Sequence, residues 1–367
     1  MAKSQRATRP THCFPERISC ASHSRPPSSS RLGKRLCTFA LPALISISAL
    51  LSINSAYAQT DVFRDKLISI GTASRSGLFF PTGAKICELV NRDRKKTQVR
   101  CVAYPTPGSE YNAKAVTLGD FAIGMTRSDI AYNEFVDKSS GDGHGDSLRA
   151  VMSLYAMPVV IIARRKARID NVTQLKGHSI NLGNRGSGQR AIVDFLMKTL
   201  GLKTADFSAV SELATSRMGD AFCAGKIDVV VEALGHPAPF YRRMIEECDG
   251  QIVGIPEPLI DKIAATNLFI DRLPIPGGMY ANHPDAIPSF GYKALLVTRQ
   301  ETSEEAVQRF VGTVMERLSE LKQSDLVLQD LEPERMLTEG ITVPLHPGAA
   351  RYLNTKKTDT AGRDHAK

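Results

Sequence analysis

Strand-like and helix-like segments alternate along almost the whole chain after residue 66, and this alternation limits the fold more than any other feature. The strand-like runs are short and apolar, and the helix-like runs carry apolar residues at helical spacing. The strand-like runs cover 67–71, 98–104, 121–125, 178–183, 226–232 and 251–255, and the helix-like runs lie near 80–93, 109–118, 187–201, 214–224 and 238–248. Such alternation is typical of domains with largely parallel sheets. We therefore predict an α/β fold.

Two extended runs are longer than an ordinary strand. Residues 148–163 form a nearly continuous apolar run interrupted by Pro158, and residues 290–299 form a second one. Because a mean strand has about five or six residues, we expect the chain to leave one sheet and enter another along these runs. We predict two lobes joined by two strands. Lobe 1 would comprise 59–157 and 290–355, lobe 2 would comprise 158–289, and 356–367 would form a charged, disordered tail.

Residues 1–58 have the character of an export leader. A polar, basic start precedes an apolar run at 36–53, and Ala56-Tyr57-Ala58 then offers a small-x-small cleavage site. This order is typical of a secretory signal peptide, so we predict cleavage near Ala58 and a periplasmic location. The alternative is a membrane anchor, but the run is short and is interrupted by Pro42 and several serines.

The leader also dominates the net charge. It contains eight Lys or Arg residues and one Glu, which together give +7 of the formal +9. The remaining chain is nearly neutral, so its composition does not indicate a nucleic-acid partner. We predict an exported monomer that does not bind nucleic acid.

Four cysteines follow the leader, at positions 87, 101, 223 and 248. In an oxidising compartment the local pairs Cys87–Cys101 and Cys223–Cys248 are plausible disulfides, and buried free thiols are the alternative. Sequence alone leaves the connectivity open.

The first strand-like run ends in a glycine-rich turn, in the stretch L-I-S-I-G-T-A-S-R-S-G-L-F-F-P-T-G at 67–83. The spacing of Gly71, Gly77 and Gly83 does not match a dinucleotide fingerprint, and Leu78 replaces the lysine of a P-loop. The free N–H groups of the following helix could still receive an anion, although an ordinary strand–helix connection is the simpler interpretation.

Three more small polar turns follow predicted strands: P-T-P-G-S-E-Y-N at 105–112, R-S-D at 127–129 and G-N-R-G-S-G-Q-R at 183–190. Open α/β sheets bind ligands at the carboxyl ends of their strands. Four such turns across two lobes therefore predict a cleft for a small anion.

Sequence patterns of catalytic and metal sites are missing. Ser187 lies between two glycines but not in a G-x-S-x-G elbow, the chain has no H-E-x-x-H, and its histidines show no metal spacing. We therefore predict no catalytic residue, no metal and no cofactor.

The ordered motifs resemble those of the TAXI family, the solute-binding proteins of a subgroup of tripartite ATP-independent periplasmic (TRAP) transporters. They include the four turns above together with G-K-I-D, G-H-P, I-P-G-G-M-Y and V-P-L-H-P-G-A-A-R-Y, and they span residues 66–353. The resemblance implies a type II periplasmic-binding-protein fold with two hinged α/β lobes. It also implies capture of a small carboxylate, such as glutamate, 2-oxoglutarate or another dicarboxylate, and delivery to TRAP permease subunits in the membrane.

The resemblance further implies which residues line the cleft. Lobe 1 would contribute residues 72–80, Ser109, Asn112 and 127–129, and lobe 2 would contribute 187–190 and the turn at 235–237. The implied ligand-binding residues are Thr72, Gly77, Leu78, Phe79, Phe80, Ser109, Asn112, Arg127, Asp129, Ser187, Gly188, Gln189, Arg190 and Gly235. Backbone N–H groups and the Ser187 hydroxyl would hold carboxylates, Asn112 would donate its amide, and Phe79 and Phe80 would cover the apolar face of the ligand.

Two positions depart from the family pattern. Family members commonly have Gln where this chain has Arg127, and often Tyr where it has Phe79 and Phe80. A guanidinium can bind a carboxylate through two parallel hydrogen bonds, so we hypothesise that Arg127 favours an acidic ligand. The alternative is that Arg127 pairs with Asp129 or Glu110, which would leave the net charge of the site unchanged.

Two other functions remain open on the sequence alone. The same fold could serve a periplasmic sensor for a signalling kinase, or an enzyme that turns over a bound carboxylate. A neighbouring permease or kinase gene would separate transport from sensing. Turnover by the purified protein would indicate an enzyme, for which the sequence offers no nucleophile–base pair.

Overall fold

A computed structural model describes residues 66–137, 145–267 and 269–354 of the 367-residue chain. The predicted signal peptide and the predicted C-terminal tail lie outside the described residues. All described residues belong to a single compact unit.

Ten strands and eleven helices make up the regular structure of the described residues. The strands are β1 (Lys66–Gly71), β2 (Val99–Tyr104), β3 (Ile123–Arg127), β4 (Leu148–Arg164), β5 (Ser179–Asn181), β6 (Ala209–Ser211), β7 (Val229–Ala233), β8 (Gly250–Ile252), β9 (Asp271–Arg272) and β10 (Phe290–Arg299). The helices are α1 (Phe79–Arg92), α2 (Arg94–Thr97), α3 (Ser109–Thr117), α4 (Ser128–Val136), α5 (Gly188–Leu200), α6 (Thr215–Cys223), α7 (Pro239–Glu246), α8 (Glu257–Thr266), α9 (Glu304–Glu316), α10 (Leu318–Ser324) and α11 (Pro333–Met336). Within these ranges, no helix combines the length and the apolar character needed to cross a membrane.

The strands follow the order β2-β1-β3-β10-β4-β7-β5-β6, with β8 beside β4 and β9 beside β10. At one end β1 runs parallel to β2 and β3, and at the other end β5 runs parallel to β6 and β7. Between these two parallel groups, β10 pairs antiparallel with β3 and β4, and β4 pairs antiparallel with β7. The predicted α/β fold with two lobes is confirmed. The expectation of largely parallel sheets is wrong: five of the nine strand pairings among the described residues are antiparallel, because the central strands β4 and β10 pair only antiparallel.

Strand β4 joins the two groups. Its first part, up to Pro158, pairs with β10, and its second part, from Val159 onward, pairs with β7 and β8. The change of partner falls at the proline that interrupts the apolar run in the sequence. Proline lacks a backbone N–H and cannot continue a ladder on both sides, which suits the point where a strand passes from one neighbour to the next.

Each lobe also contains one disulfide. Cys87 in α1 is bonded to Cys101 in β2, and Cys223 at the end of α6 is bonded to Cys248 just before β8. Both are the local pairs that the sequence suggested. Helix α1 presses its apolar face against the sheet, with Ile86, Leu89 and Val90 buried at helical spacing.

Candidate functional site

A cavity of about 90 Å³ lies between the two lobes. It is lined from lobe 1 by the end of β3 and by the first turns of α1 and α3. Lobe 2 contributes the first turns of α5 and α6 and the end of β7, and the middle of β4 forms part of the wall. The cavity therefore lies at the carboxyl ends of strands, where this class of sheet holds its ligands.

The cavity brings together more than half of the residues that the resemblance implied. Those that line it are Gly77, Leu78, Phe79, Ser109, Arg127, Ser187, Gly188 and Gln189. They come from segments up to 112 residues apart in sequence, which the sheet topology places at one edge. Their ligand-binding roles stay predictions.

The first turns of α1, α3 and α5 border the cavity. The N–H groups in the first turn of a helix have no partner within the helix and carry partial positive charge, so they attract anions. At α5 the cap is formed by Ser187, whose hydroxyl accepts from the Arg190 N–H at 3.1 Å and donates to the Asn184 carbonyl at 2.6 Å. The cap therefore occupies the Ser187 hydroxyl, which was predicted to donate to a carboxylate. In this turn the N–H groups of Gly188 and Gln189 remain as donors to an anion.

The two lobes touch across the cavity. The Tyr111 N–H donates to the Gly186 carbonyl at 3.1 Å, and the Asn184 side chain donates to the Pro107 carbonyl at 3.3 Å. The Arg127 guanidinium of lobe 1 donates to the Gly188 carbonyl of lobe 2 at 2.5 Å. Hydrogen bonds between residues of the two lobes therefore bridge the cavity.

Arg127 is buried, with 2% of its side chain exposed, and its charge is matched inside lobe 1. Its Nε and Nη2 donate to the two carboxylate oxygens of Asp129 at 2.9 and 2.5 Å, and its guanidinium stacks 4.0 Å from the Tyr292 ring centre. Burial opposes the charged form, but the Asp129 carboxylate raises the pKa of Arg127 above its usual value, so the pair is ionic. The structure thus contains the pairing with Asp129 that the sequence left open as the alternative.

Glu232 is the second charged side chain of the cavity, and sequence reasoning missed it. It follows three valines at the end of β7, with only 6% of the residue exposed. Its Oε2 accepts from the Thr215 hydroxyl at 3.0 Å and its Oε1 from the Ala233 N–H at 3.1 Å. Burial raises the pKa of Glu232 to about 7, because its two hydrogen bonds and the nearby Arg127 offset only part of the lost hydration.

The remaining implied residues do not line the cavity, and each has another task. Asn112 is fully buried: its amide donates to the Thr72 and Met125 carbonyls, and its oxygen accepts from Thr106. Thr72 donates its hydroxyl to the Tyr104 carbonyl. Both residues satisfy backbone groups at the ends of strands, which leaves no free amide for a ligand.

Phe80, Asp129, Arg190 and Gly235 also lie outside the cavity lining. The Phe80 ring lies under the Arg75 guanidinium at 4.4 Å, and the Asp129 carboxylate is bound by Arg127. Arg190 pairs with Asp194 and Glu212. A Cβ at Gly235 would lie 2.1 Å from Val327 and 2.7 Å from Tyr155, so glycine is required there for packing. Its contribution to the site is indirect, since Tyr155 does line the cavity.

The apolar wall contains side chains for which the sequence gave no site-specific indication. Tyr155 and Met157 come from the middle of β4, and Leu234 follows β7. In sequence they are indistinguishable from other residues of long apolar runs. The passage of β4 between the lobes places Tyr155 and Met157 beside the cavity, and the end of β7 places Leu234 there.

The turn at 235–237 is not part of the cavity lining, and its side chains belong to an aromatic packing cluster. The His236 ring stacks on Tyr241, and its Nδ1 lies 2.7 Å from the Tyr280 hydroxyl. Burial lowers the pKa of His236 to about 4, so this histidine is neutral at physiological pH. Among the described residues, no group of three or more His, Cys, Asp or Glu side chains is arranged to hold a metal ion.

A scan of protein families matches residues 70–356 to the NMT1-like family. Among solved structures, MatC from Rhodopseudomonas palustris with bound malate is similar at 14% identity and a TM-score of 0.48, over 74% of this chain and 92% of that chain. The alkanesulfonate-binding protein SsuA from Xanthomonas axonopodis pv. citri bound to MOPS is similar at 14% identity and a TM-score of 0.41, over 78% and 83%. PhnD1 from Prochlorococcus marinus in complex with methylphosphonate shows 8% identity and a TM-score of 0.44, over 80% and 90%. Resemblances this distant do not indicate what the present chain binds.

Proposed function

The chain belongs to the NMT1-like family, and from this membership and the geometry of the cavity we propose that it is a periplasmic solute-binding protein for a small carboxylate. The observation that carries the proposal is the interlobe cavity, where the first turns of α1, α3 and α5 meet and hydrogen bonds hold the lobes together. Binding without catalysis requires only such an enclosure.

The chemistry of the cavity suits an organic anion of small size. The N–H groups at the beginning of α5 are free to receive carboxylate oxygens, and helix N-termini stabilise negative charge. Apolar contacts from Leu78, Phe79 and Met157 would cover the carbon chain of the ligand. An apolar pocket with a small number of convergent polar groups is typical of sites for small molecules.

Closure would couple binding to a change of shape. Arg127 contacts the Gly188 carbonyl only when the lobes are together, because the two residues belong to different lobes. A ligand that touches both lobes would favour this closed arrangement over an open one, in proportion to its difference in affinity for the two.

The transport pathway is the finer part of the proposal. The ordered motifs resemble those of the TAXI family, and on this basis we assign the chain as the binding component of a TRAP transporter that delivers its ligand to membrane permease subunits. Uptake of the bound acid into proteoliposomes that contain the permease should then require this protein. Uptake that is equally fast without it would contradict the assignment.

The binding function is tested first by native mass spectrometry of protein purified without denaturation, in which we expect a co-purified small acid. A thermal-shift screen of amino acids and carboxylic acids follows. A ligand that binds only the folded state stabilises it by about 2.7 kcal/mol at a concentration of 100 Kd, so true ligands should raise Tm clearly. The proposal would be contradicted if no acid co-purifies and no compound of the screen raises Tm.

A glycine pair gives a matched control for the same screen. A Cβ at Gly188 would lie 3.0 Å from the Ser109 hydroxyl and 3.5 Å from Arg127, so Gly188→Ala should obstruct closure and reduce the ligand-induced shift. Gly254 is not part of the cavity lining, and a Cβ there would make only an ordinary contact at 3.6 Å with the Asp170 carbonyl. Gly254→Ala should therefore keep the shift of the wild-type protein.

A further inference from the structure

Glu232 places a carboxyl group inside a cavity that otherwise suits an anion. Its hydrogen bonds come from neutral donors only, the Thr215 hydroxyl and the Ala233 N–H. Among the described residues, no Lys, Arg or His side chain donates a hydrogen bond to it. A buried carboxylate without a cationic partner is costly, so a side chain of this kind in a ligand cavity calls for an explanation.

The charges around Glu232 do not supply that partner. Arg127 attracts it electrostatically from β3, but the Nε and Nη2 of this guanidinium already donate to Asp129, and its Nη1 donates to the Gly188 carbonyl. The Tyr241 hydroxyl on α7 is neutral, because burial, and after it the Glu232 carboxylate, raises the pKa of that tyrosine. One unit of negative charge therefore remains unmatched when Glu232 is ionised.

The cavity then has two polar regions of opposite character. The first turn of α5 offers N–H donors from Gly188 and Gln189, whereas Glu232 offers carboxylate acceptors, and both border the same volume. Leu78, Phe79 and Leu234 supply apolar surface in that volume. A molecule that fills it would match a carboxylate to the donors and a cationic N–H group to the acceptors.

We propose that Glu232 binds the ammonium group of the ligand and thereby selects α-amino acids over carboxylic acids that lack the amine. This inference rests on the proposed function, because it assigns a ligand class to the same cavity. It makes Glu232 the specificity-determining residue of the site. A plain dicarboxylate would instead bring a second negative charge next to Glu232 and would have to bind together with a proton.

The test compares acids that differ only in the amine: L-glutamate with glutarate, L-alanine with propionate, and L-leucine with 4-methylpentanoate. Affinities are measured by isothermal titration calorimetry at pH 7 with the full exported chain. We expect the amino member of at least one pair to bind about ten- to a hundredfold more tightly, the range of a hydrogen bond to a charged group.

Proton exchange gives a second readout, obtained by repeating the titrations in buffers with different ionisation enthalpies. The pKa of Glu232 is raised by burial to about 7, so the free carboxyl is partly protonated at pH 7. An ammonium group favours the ionised form, and binding should release protons. A ligand carboxylate at the same place would favour the protonated form, and binding should take protons up.

Glu232→Gln keeps the shape of the side chain and an oxygen for the Thr215 hydroxyl but removes the charge. It should lower the affinity for the amino acid about ten- to a hundredfold, leave the plain acid unaffected or tighter, and abolish the proton release. Asp228→Asn is the matched control. Asp228 lies just before β7, binds Ser179 and is not part of the cavity lining, so the preference and the proton release should persist.

The outcomes separate the inference from the proposed function. Tight binding of the plain acids with proton uptake, or an amino-acid preference that survives in Glu232→Gln, would overturn the inference and leave a carboxylate-binding protein. If no member of any pair binds and no acid co-purifies, the proposed function fails together with it. A preference lost in Glu232→Gln and kept in Asp228→Asn supports the inference.

Discussion

The two walls of the cavity carry charge in different ways. On the lobe 1 wall, Arg127 is buried but its charge is matched by Asp129 through two hydrogen bonds. On the lobe 2 wall, Glu232 is also buried and has only neutral hydrogen-bond donors. The charge of Arg127 is therefore used within the protein, whereas the Glu232 carboxylate has no cationic hydrogen-bond donor and could bind a cationic group of the ligand.

This difference changes how Arg127 is understood. Its planar, permanently charged side chain made it the strongest candidate for recognising an acidic ligand. In the structure its Nε and Nη2 donate to Asp129 of its own lobe, and its Nη1 donates to the Gly188 carbonyl of the other lobe. We therefore expect Arg127 to shape the cavity and hold the lobes together, and Glu232 to determine which ligands bind.

Breaking the Arg127–Asp129 pair of lobe 1 should have the largest effect on stability. Arg127→Gln leaves Asp129 with an unmatched charge and removes the contact to Gly188, so we expect a loss of about 3 kcal/mol in the free energy of unfolding. Urea unfolding measures it. The double variant Arg127→Gln with Asp129→Asn removes both charges and should recover part of the loss. A single variant as stable as the wild-type protein would show that the pair is not structural.

The disulfides should contribute nearly equally to the two lobes, in contrast to the charges. They close loops of 14 residues in lobe 1 and 25 residues in lobe 2. On the chain-entropy argument each adds about 3 kcal/mol, slightly more for the longer loop. Replacing either pair by alanines and measuring urea unfolding tests this. Ligand affinity should hardly change, and a large loss of affinity in one variant would contradict that expectation.

Removing the unmatched charge should stabilise the ligand-free protein at high pH. Burial raises the pKa of Glu232 to about 7 from the 4.5 of an ordinary glutamate, so the native state holds its proton more tightly than the unfolded chain. This contribution is fully present below pH 4.5 and is lost as the pH rises to 7. Glu232→Gln should therefore gain about 2 to 3 kcal/mol over the wild-type protein between pH 4.5 and 8.

The measurement for this third prediction is urea unfolding of both proteins at pH 4.5 and pH 8. The Asp228→Asn variant serves as the control, because its carboxylate is bound by Ser179 at the strand edge. A stability difference between Glu232→Gln and wild type that does not change with pH would mean that the buried carboxyl is not strained in the free protein.

The smallest effect separates two neighbouring phenylalanines. Phe79 lines the cavity, whereas Phe80 lies outside the lining and packs under Arg75. Phe79→Leu should weaken ligand binding about fivefold, which corresponds to roughly 1 kcal/mol of lost apolar contact. Phe80→Leu should leave the dissociation constant within about twofold. Equal losses in the two variants would show that the closed cavity is lined differently.

Much of the architecture followed from local pattern. The alternation of short apolar runs with amphipathic ones was enough for an α/β fold, and the long run around Pro158 marked where β4 changes partner. These features are local in sequence, because hydrophobic periodicity and proline geometry act over a few residues. The signal peptide, the tail and the exact lobe boundaries stay predictions.

The residues around the cavity could be predicted only in part from such local patterns. Small polar turns at strand ends correctly pointed to Ser109, Ser187 and Gly188 as neighbours of one cavity. They equally pointed to Thr72 and Asn112, whose side chains bind backbone carbonyls instead. A short polar side chain at a strand end has the same sequence pattern whether it satisfies the backbone or a ligand.

The sequence by itself determined the repeated strand–helix units, the turns between them and the cysteine pairs close enough to bond, since each depends on residues near one another in the chain. Only the tertiary structure decided which charges are matched. Arg127 finds Asp129 two residues away, whereas Glu232 is left beside the cavity because β4 and α6 bring no cation to it. Charge balance depends on every element that packs around a group, and sequence spacing does not record that arrangement.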